Sequence, residues 1–237
     1  MNPKDKELLE KKYPNNIEEI ITKIDNGYPI QYLIGNVEFL NTIIDVDERV
    51  LIPRFETELL VDKTINYINK MFSKKVKIID LGTGSGCIAI ALKKNINSEV
   101  IALDIAPDAL KLARSNALKN NVNVLFIEGS MEDYLNDNYD VIISNPPYIP
   151  LDGYVSDSVK KYEPNLALYA HDNGLYFYKS IINKNLHCLN KPGLMAFEIG
   201  DNEKELLEVF LKEKGITNYL FECDLTNRVR YLFIFNE

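Results

Sequence analysis

The 237-residue sequence predicts an α/β fold, one domain wound on both faces of a mostly parallel seven-stranded sheet. Three observations support this. From Val76 onward, short apolar runs alternate with stretches of helical length, the pattern of right-handed βαβ units. The last two apolar runs are separated only by a short turn, which adds an antiparallel C-terminal strand to the parallel set. Hydrophobic residues make up 46% and charged residues 26%, ordinary values for a packed chain, so wholesale disorder is excluded.

The elements follow in order. Residues 1–28 read as a truncated helical segment of two short helices. Pro3 suits a first helical position, Leu8 and Leu9 supply apolar contacts, and Pro14 stops the turn. Asn16 is the expected cap of the second helix, which Asn26-Gly27 ends. Residues 29–55 form a linking β-hairpin, with Val37 and Phe39 on one arm, Ile43, Ile44 and Val46 on the other, and Asn41 at the bend. After Val50-Leu51-Ile52-Pro53-Arg54 a helix runs from about Glu56 to Met71. Strands are expected at Val76–Leu81, Val100–Leu103, Val124–Ile127, Val141–Ile143 and Leu194–Ile199. Helices are expected at Cys87–Lys94, Pro107–Lys119, Gly174–Leu189 and Glu203–Lys212, and two final strands at Thr217–Cys223 and Arg228–Phe235. Residues 56–237 are thus the main domain.

Charge and composition narrow the function. Twenty-seven basic residues stand against 35 acidic ones, a net charge of −8, which argues against an affinity built on neutralising many phosphates. Three cysteines (Cys87, Cys188, Cys223) without a Cys-x-x-Cys, and only two histidines, remove a zinc ribbon, a disulfide framework and most histidine-based catalysis. No metal site is expected. No apolar run approaches the roughly 18–20 residues of a membrane span, and no apolar segment follows the N-terminal lysines as in a signal peptide. The expected location is the reducing cytoplasm, with no membrane association.

The first motif is Asp80-Leu81-Gly82-Thr83-Gly84-Ser85-Gly86, at the end of the first βαβ strand. Alternate glycines let the backbone pass close to a ligand, and the following helix offers free N–H groups. The dinucleotide fingerprint Gly-x-Gly-x-x-Gly would place its third glycine where Cys87 stands, so this loop departs from the NAD(P) pattern. Asp104, at the end of the next strand, can accept both hydroxyls of a ribose. A glycine loop plus a strand-end acid, without the pyrophosphate fingerprint, favours S-adenosylmethionine. The blander alternatives are a tight turn for the glycines and a helix cap before Pro107 for Asp104.

The second motif, Ser144-Asn145-Pro146-Pro147-Tyr148, directly follows the strand ending at Ile143. Both motifs therefore face one crevice at the carboxyl ends of parallel strands. The prolines make the segment stiff and leave it without N–H groups at two positions, so its carbonyls project. A planar –NH2 group is a poor nucleophile that gains from being held. The Asn145 side-chain oxygen and the Pro146 carbonyl can each accept one of its N–H groups, and Tyr148 can stack on the planar group. Catalysis is then positioning and charge relief, with neither a metal nor a strong base. Adenine N6, cytosine N4 and glutamine N5 all fit such a loop; the alternative is a rigid loop with a buried asparagine.

From about Pro29 to Phe235 the sequence resembles the PrmC/HemK protein-(glutamine-N5) methyltransferases, which modify peptide-chain release factors. The resemblance rests on the two motifs, on Pro29-Ile30-Gln31-Tyr32-Leu33-Ile34-Gly35 and Val50-Leu51-Ile52-Pro53-Arg54-Phe55-Glu56-Thr57-Glu58, and on Leu103-Asp104-Ile105. Tyr162-Glu163-Pro164, Asp172-Asn173-Gly174-Leu175, Phe197-Glu198-Ile199-Gly200 and Asn227-Arg228 complete it. It implies a Rossmann-like class I S-adenosylmethionine-dependent methyltransferase, its catalytic domain in residues 56–237. Gly82, Thr83, Gly84, Ser85, Gly86 and Asp104 would contact S-adenosylmethionine, with Met131 near the adenine and Asn145 near the methionine end. Asn145, Pro146, Pro147 and Tyr148 would hold the glutamine of a Gly-Gly-Gln tip, with Asn145, Pro146 and Tyr148 as the catalytic set. Arg54, Phe55 and Glu56 would line the same site; Arg54 and Glu56 otherwise read as a surface ion pair.

The sequence departs from the family at Ser130, where an acid is common, and at Met131, where some members place an aromatic residue. It also has only about 27 residues ahead of the hairpin, where members carry a helical bundle that grips the release factor. The implied partner is a release factor, bound by a monomer with no direct nucleic-acid contact. The competing expectation is an adenine-N6 methyltransferase acting on nucleic acid, which shares Asn-Pro-Pro-Tyr but must reach a flipped base.

Overall fold

The computed structural model describes residues 3–133 and 135–237; Met1 and Asn2, at the head of the predicted N-terminal segment, lie outside the described residues. Three short helices come first: α1 (Pro3–Lys12), α2 (Ile17–Asp25) and α3 (Ile30–Ile34). Leu9, Ile20 and Leu33, one from each, form a small core of their own. The third helix was not expected; it occupies the start of the linking segment and ends at Gly35. Asn16 occupies the cap position, but its side chain makes no capping hydrogen bond. Its backbone (φ −133°, ψ 21°) is not extended; its carbonyl accepts from Ile20 N at 3.1 Å and its N–H donates to Tyr13 O at 3.1 Å.

The hairpin β1 (Asn36–Phe39) and β2 (Thr42–Asp45) precedes α4 (Phe55–Met71). The central chain then runs through β3 (Val76–Leu81), α5 (Cys87–Asn95), β4 (Ser98–Asp104), α6 (Pro107–Lys119), β5 (Leu125–Glu128) and β6 (Tyr139–Ser144). After it come the small pair β7 (Ile149–Pro150) and β8 (Tyr169–Ala170), with α7 (Asp157–Tyr162) between them. The chain ends with α8 (Tyr176–Asn185), β9 (Leu189–Glu198), α9 (Lys204–Glu213), β10 (Tyr219–Cys223) and β11 (Val229–Asn236). Every strand expected from Val76 onward is present. Between Asn145 and Tyr176, where no strand or helix before Gly174 was expected, the chain forms β7, α7 and β8.

The seven strands lie in the order β10-β11-β9-β6-β3-β4-β5. Neighbours from β9 to β5 are parallel, and β11 is antiparallel to both β9 and β10. Side chains alternate across this sheet, as the strand period requires. Ile78, Val100, Ala102, Val141 and Ala196 face the side covered by α4, α5 and α6. Ile79, Ile101, Ile142, Met195 and Leu232 face the side covered by α8 and α9. All six residues of β6 are buried, because a central parallel strand is roofed on both faces.

Two features position the site. Strand order reverses between β3 and β6, and at such a switch point the connections leave to opposite faces and open a crevice. The hairpin is fixed beside it by α6. Asn116 donates to Asp45 O and Ser85 O and accepts from Asp45 N, and Asn120, one turn on, does the same with Ile43 N and O. Two asparagine amides thereby substitute for a strand along the free edge of β2, and one of them also holds the glycine loop.

Candidate active site

The glycine loop follows β3 and passes under the end of β4. Gly82 N and Thr83 N both donate to Leu103 O, at 2.8 and 2.9 Å, so the loop is tied to the neighbouring strand. Gly82, Gly84 and Gly86 all have positive φ, the region an L side chain rarely enters. At Gly82 a Cβ would collide with the Met131 methyl, which lies over the loop. At Gly84 a Cβ would meet nothing within 4 Å; here the backbone faces open space. Gly84 N donates to Asp104 Oδ2 at 2.7 Å, and Ala106 N to Asp104 Oδ1 at 2.9 Å. Asp104 therefore serves the turn before α6 and orients the loop as well. A carboxylate oxygen can accept more than one hydrogen bond, so both keep acceptor capacity on their half-buried side.

Asn145 lies across the crevice. Ser144 Oγ donates to Leu81 O at 2.6 Å and stitches the end of β6 to the end of β3, bringing the two motifs together. Pro146 and Pro147 are buried, and Asn145 and Tyr148 are half-buried. Among the described residues no hydrogen bond uses the Pro146 carbonyl. The Tyr148 ring rests on Gly200, where a Cβ would come within 2.9 Å of Tyr148 Cδ2, and its hydroxyl donates to Glu198 Oε1 at 3.3 Å.

One cleft joins these parts. Among the predicted residues, Gly82, Thr83, Gly84, Ser85, Asp104, Met131, Asn145, Pro147 and Arg54 line it, with Ser130 and Glu132 beside Met131. Gly86 stands one position behind, closing the loop onto α5. Pro146 and Tyr148 adjoin the lining, and Phe55 and Glu56 are outside it, Phe55 being 56% exposed.

Arg54 differs from the surface-pair alternative. Its partner is Glu163 rather than Glu56, at 2.5 Å, and the Glu163 side chain is only 2% exposed. Glu163 Oε2 also accepts from Ile52 N at 3.0 Å. The acid of Tyr162-Glu163-Pro164 thus anchors the Ile52-Pro53-Arg54 segment along the cleft wall.

Two residues that sequence reasoning left unassigned are central here. Thr57, on the buried face of α4, accepts from Asn145 Nδ2 at 2.9 Å and donates to Glu198 Oε2 at 2.6 Å. Glu198, at the end of β9, is 2% exposed. Burial pushes its carboxyl up to about 7, opposed by the Thr57 and Tyr148 hydroxyls and by Arg230. A local signal existed, since an acid that ends an apolar buried strand requires partners. Nothing local identifies which partners.

The donor set fits S-adenosylmethionine. An unobstructed backbone at Gly84, a strand-end carboxylate with spare acceptors and an apolar wall of Ile105 and Met131 suit a nucleoside. Among the described residues no cluster of His, Cys, Asp and Glu is placed to hold a metal ion. No helix among them is long and apolar enough to cross a membrane.

A family profile described as "Methyltransferase domain" matches residues 72–231. The release factor glutamine methyltransferase of Lactococcus lactis is 40% identical over 201 residues, covering 84% of this chain and 73% of that protein. That of Flavobacterium psychrophilum is 42% identical over 205 residues, covering 81% and 72%. Among solved structures, the hMettl16 catalytic domain in complex with MAT2A 3'UTR hairpin 6 aligns with a TM-score of 0.65 at 20% identity, covering 82% of this chain and 76% of that one. A ribosomal protein L11 methylase from Lactobacillus delbrueckii aligns with a TM-score of 0.56 at 20% identity, covering 81% and 82%. At such identities the solved structures speak for the fold alone, whereas the curated relatives share sequence over most of both chains. On that ground the chain belongs to the release factor glutamine methyltransferase family.

Proposed function

We propose that this methyltransferase moves the methyl group of S-adenosylmethionine to the side-chain amide nitrogen of a glutamine. The substrate is the Gly-Gly-Gln segment of a peptide-chain release factor, and the enzyme acts as a cytoplasmic monomer. The observation that carries the reading is the meeting of Asn145 with the glycine loop at one switch-point crevice, stitched by Ser144 to Leu81. Residues 56–237 act as the catalytic domain, 29–55 as the linking hairpin and 1–28 as a helical segment beside it.

S-adenosylmethionine, when bound, supplies an electrophilic methyl on a positively charged sulfur. The chain supplies the rest. Gly82 to Gly86 admit the ligand closely to backbone, Asp104 accepts ribose hydroxyls, and Met131 packs on the adenine as a soft, adaptable surface. Asn145 Oδ1 and the Pro146 carbonyl each accept one N–H of the glutamine amide. With both hydrogens held, the nitrogen is oriented rather than free to rotate, and the reaction gains from proximity and fixed dipoles. Tyr148, stiffened by Gly200 behind its ring, bounds the amide plane. The proton leaves after transfer, so no strong base is needed.

The test transfers labelled methyl to a purified release factor and, in parallel, to adenine-containing DNA. Label on the factor alone, lost when its Gly-Gly-Gln glutamine is replaced, is expected. Label on DNA alone would replace this reading with the nucleic-acid one. A second measurement concerns the cofactor. Asp104→Ala is expected to weaken S-adenosylmethionine binding by about 10- to 100-fold in calorimetry, because ribose acceptors and the Gly84 anchor are lost together. An unchanged affinity would remove Asp104 from the cofactor site.

A further inference from the structure

A carboxamide side chain offers two opposite chemistries, an acceptor at its oxygen and two donors at its nitrogen. The proposed reaction uses Asn145 with its oxygen turned to the substrate, and something must hold it that way round. Thr57 Oγ1 lies 2.9 Å from Asn145 Nδ2 and 2.6 Å from Glu198 Oε2, and Thr57 and Glu198 are 3% and 2% exposed. A hydroxyl has a single hydrogen. When Thr57 gives it to the carboxylate, Thr57 can only accept from Asn145, so Asn145 must present its NH2 to Thr57 and its oxygen to the cleft. Glu198 sets this polarity because an ionised carboxylate is acceptor-only. Its second oxygen takes the Tyr148 hydroxyl. One buried acid thus holds two neighbours of the substrate amide from behind.

We propose that Glu198 and Thr57 are positioning residues that lock the Asn145 amide in its acceptor orientation, and that this lock makes the site select a carboxamide over a carboxylate. The inference rests on the proposed glutamine substrate. A carboxylate offers no N–H to Asn145 Oδ1 and meets oxygen against oxygen, so a locked site rejects it. An unlocked Asn145 turns over and presents NH2 to the intruder. Discrimination between isosteric groups is strongest where buried polar groups would be left facing the wrong partner.

The groups around Glu198 are compatible with its charged form at pH 8.5, above its value of about 7. Thr57 from α4, Tyr148 from the loop after β6 and Arg230 from β11 favour the ionised acid, and the Glu56 carboxylate on α4 opposes it. Tyr178 from α8, Tyr231 from β11 and Cys87 from α5 complete the surroundings.

The experiment measures methylation of the release factor at pH 8.5, with the same factor carrying glutamate in place of the Gly-Gly-Gln glutamine as competitor. The readout is the ratio of the competitor's inhibition constant to the KM of the natural factor. In Thr57→Val, nearly isosteric but without the hydroxyl, this ratio is expected to fall by about tenfold, the scale of one polar contact reversed. Thr57→Ser restores it. Glu198→Gln, which leaves Thr57 free to reverse its hydrogen bond, is expected to lower the ratio similarly and serves if Thr57→Val does not fold. The double variant falls no further, since both changes break one chain.

A merely structural role would lower kcat and leave the ratio unmoved, and that outcome overturns the proposal, as does an unchanged ratio with unchanged rate. A wild-type enzyme inert towards the release factor overturns the substrate reading itself. Wild-type activity with an unmoved ratio in the variants overturns the orientation lock alone.

Discussion

Replacing Asn145 by alanine is expected to lower the rate of methyl transfer by about 10²- to 10³-fold, the usual cost of losing a preorganised polar contact at the reacting group. S-adenosylmethionine affinity is expected to stay within about threefold, because in the proposed site the glycine loop and Asp104 would carry most of the polar contact to it. The contrast follows from geometry. Asn145 hangs from the end of β6 with its NH2 turned to Thr57, which takes one of its hydrogens, so the amide oxygen is the end turned away from Thr57. In the proposed mechanism, removing it would leave the nitrogen of the substrate held by the Pro146 carbonyl alone, free to rotate about that bond. Folding survives, because Asn145 is half-buried and the prolines after it keep the loop extended. Single-turnover transfer of labelled methyl and equilibrium dialysis of the cofactor separate the two effects. A variant with wild-type rate would remove Asn145 from the chemistry, and one that loses both rate and cofactor binding would move it to the cofactor site.

The second large effect is on stability against pH. Three buried carboxyls sit far above their ordinary range, chiefly because burial penalises their charged form: Asp80 at about 7, Glu198 at about 7 and Glu203 at about 8. Asp80 is fully buried, takes the Thr83 hydroxyl on one oxygen and leaves the other without a partner among the described residues. Glu203 accepts from Gly200 N at 2.7 Å. In the unfolded chain each of these acids is ionised above about pH 5, so between about pH 5 and 8 the native state holds the extra protons.

Stability therefore falls as pH rises through that window and levels off beyond it. The acids held low by partners, among them Asp47 beside Arg49 and Glu222 beside Lys63, contribute only through more acidic pH and leave the window unaffected. The unfolding free energy is expected to drop by roughly several kcal/mol between pH 5.5 and 8.5, since each tenfold difference in proton affinity between folded and unfolded chain is worth about 1.4 kcal/mol. Urea unfolding at the two pH values measures it. Glu198→Gln and Asp80→Asn should each flatten the dependence, while a flat or rising curve in the wild type would show that these acids are charged in the folded protein.

The two expectations meet at Glu198, an acid buried in the wall that holds Asn145 and Tyr148. Placing a group that titrates near neutrality behind the substrate loop costs stability, and it gives that loop a fixed polarity in return. Functional sites commonly show perturbed carboxyls for such reasons.

Much of this was legible from local pattern. Short apolar runs locate β3, β4, β6 and β9, because a strand buried on both faces is apolar along its length. Gly82 to Gly86 and Asn145 to Tyr148 declare themselves because glycine and proline restrict backbone geometry by their own covalent structure. The sheet rule then puts both at one crevice. The helix α3 was missed because five residues form barely more than one turn, too short for a period to show. The elements between β6 and α8 were missed because their stability comes from the neighbours they pack against rather than from propensity.

By itself, then, the sequence determined the α/β architecture, the two motifs and the kind of chemistry they suit. It could not join Thr57 to Asn145, 88 residues away, or Arg54 to Glu163, 109 residues away, or either oxygen of Glu198 to its donor. Those pairings exist only once α4 lies on the sheet beside the end of β9 and the Asn145 loop turns over it. Backbone preferences are set within a few residues, whereas a buried hydrogen bond is set by which surfaces meet. Only the folded chain brings those surfaces together, and the cost of leaving any of these polar groups unpaired keeps them there.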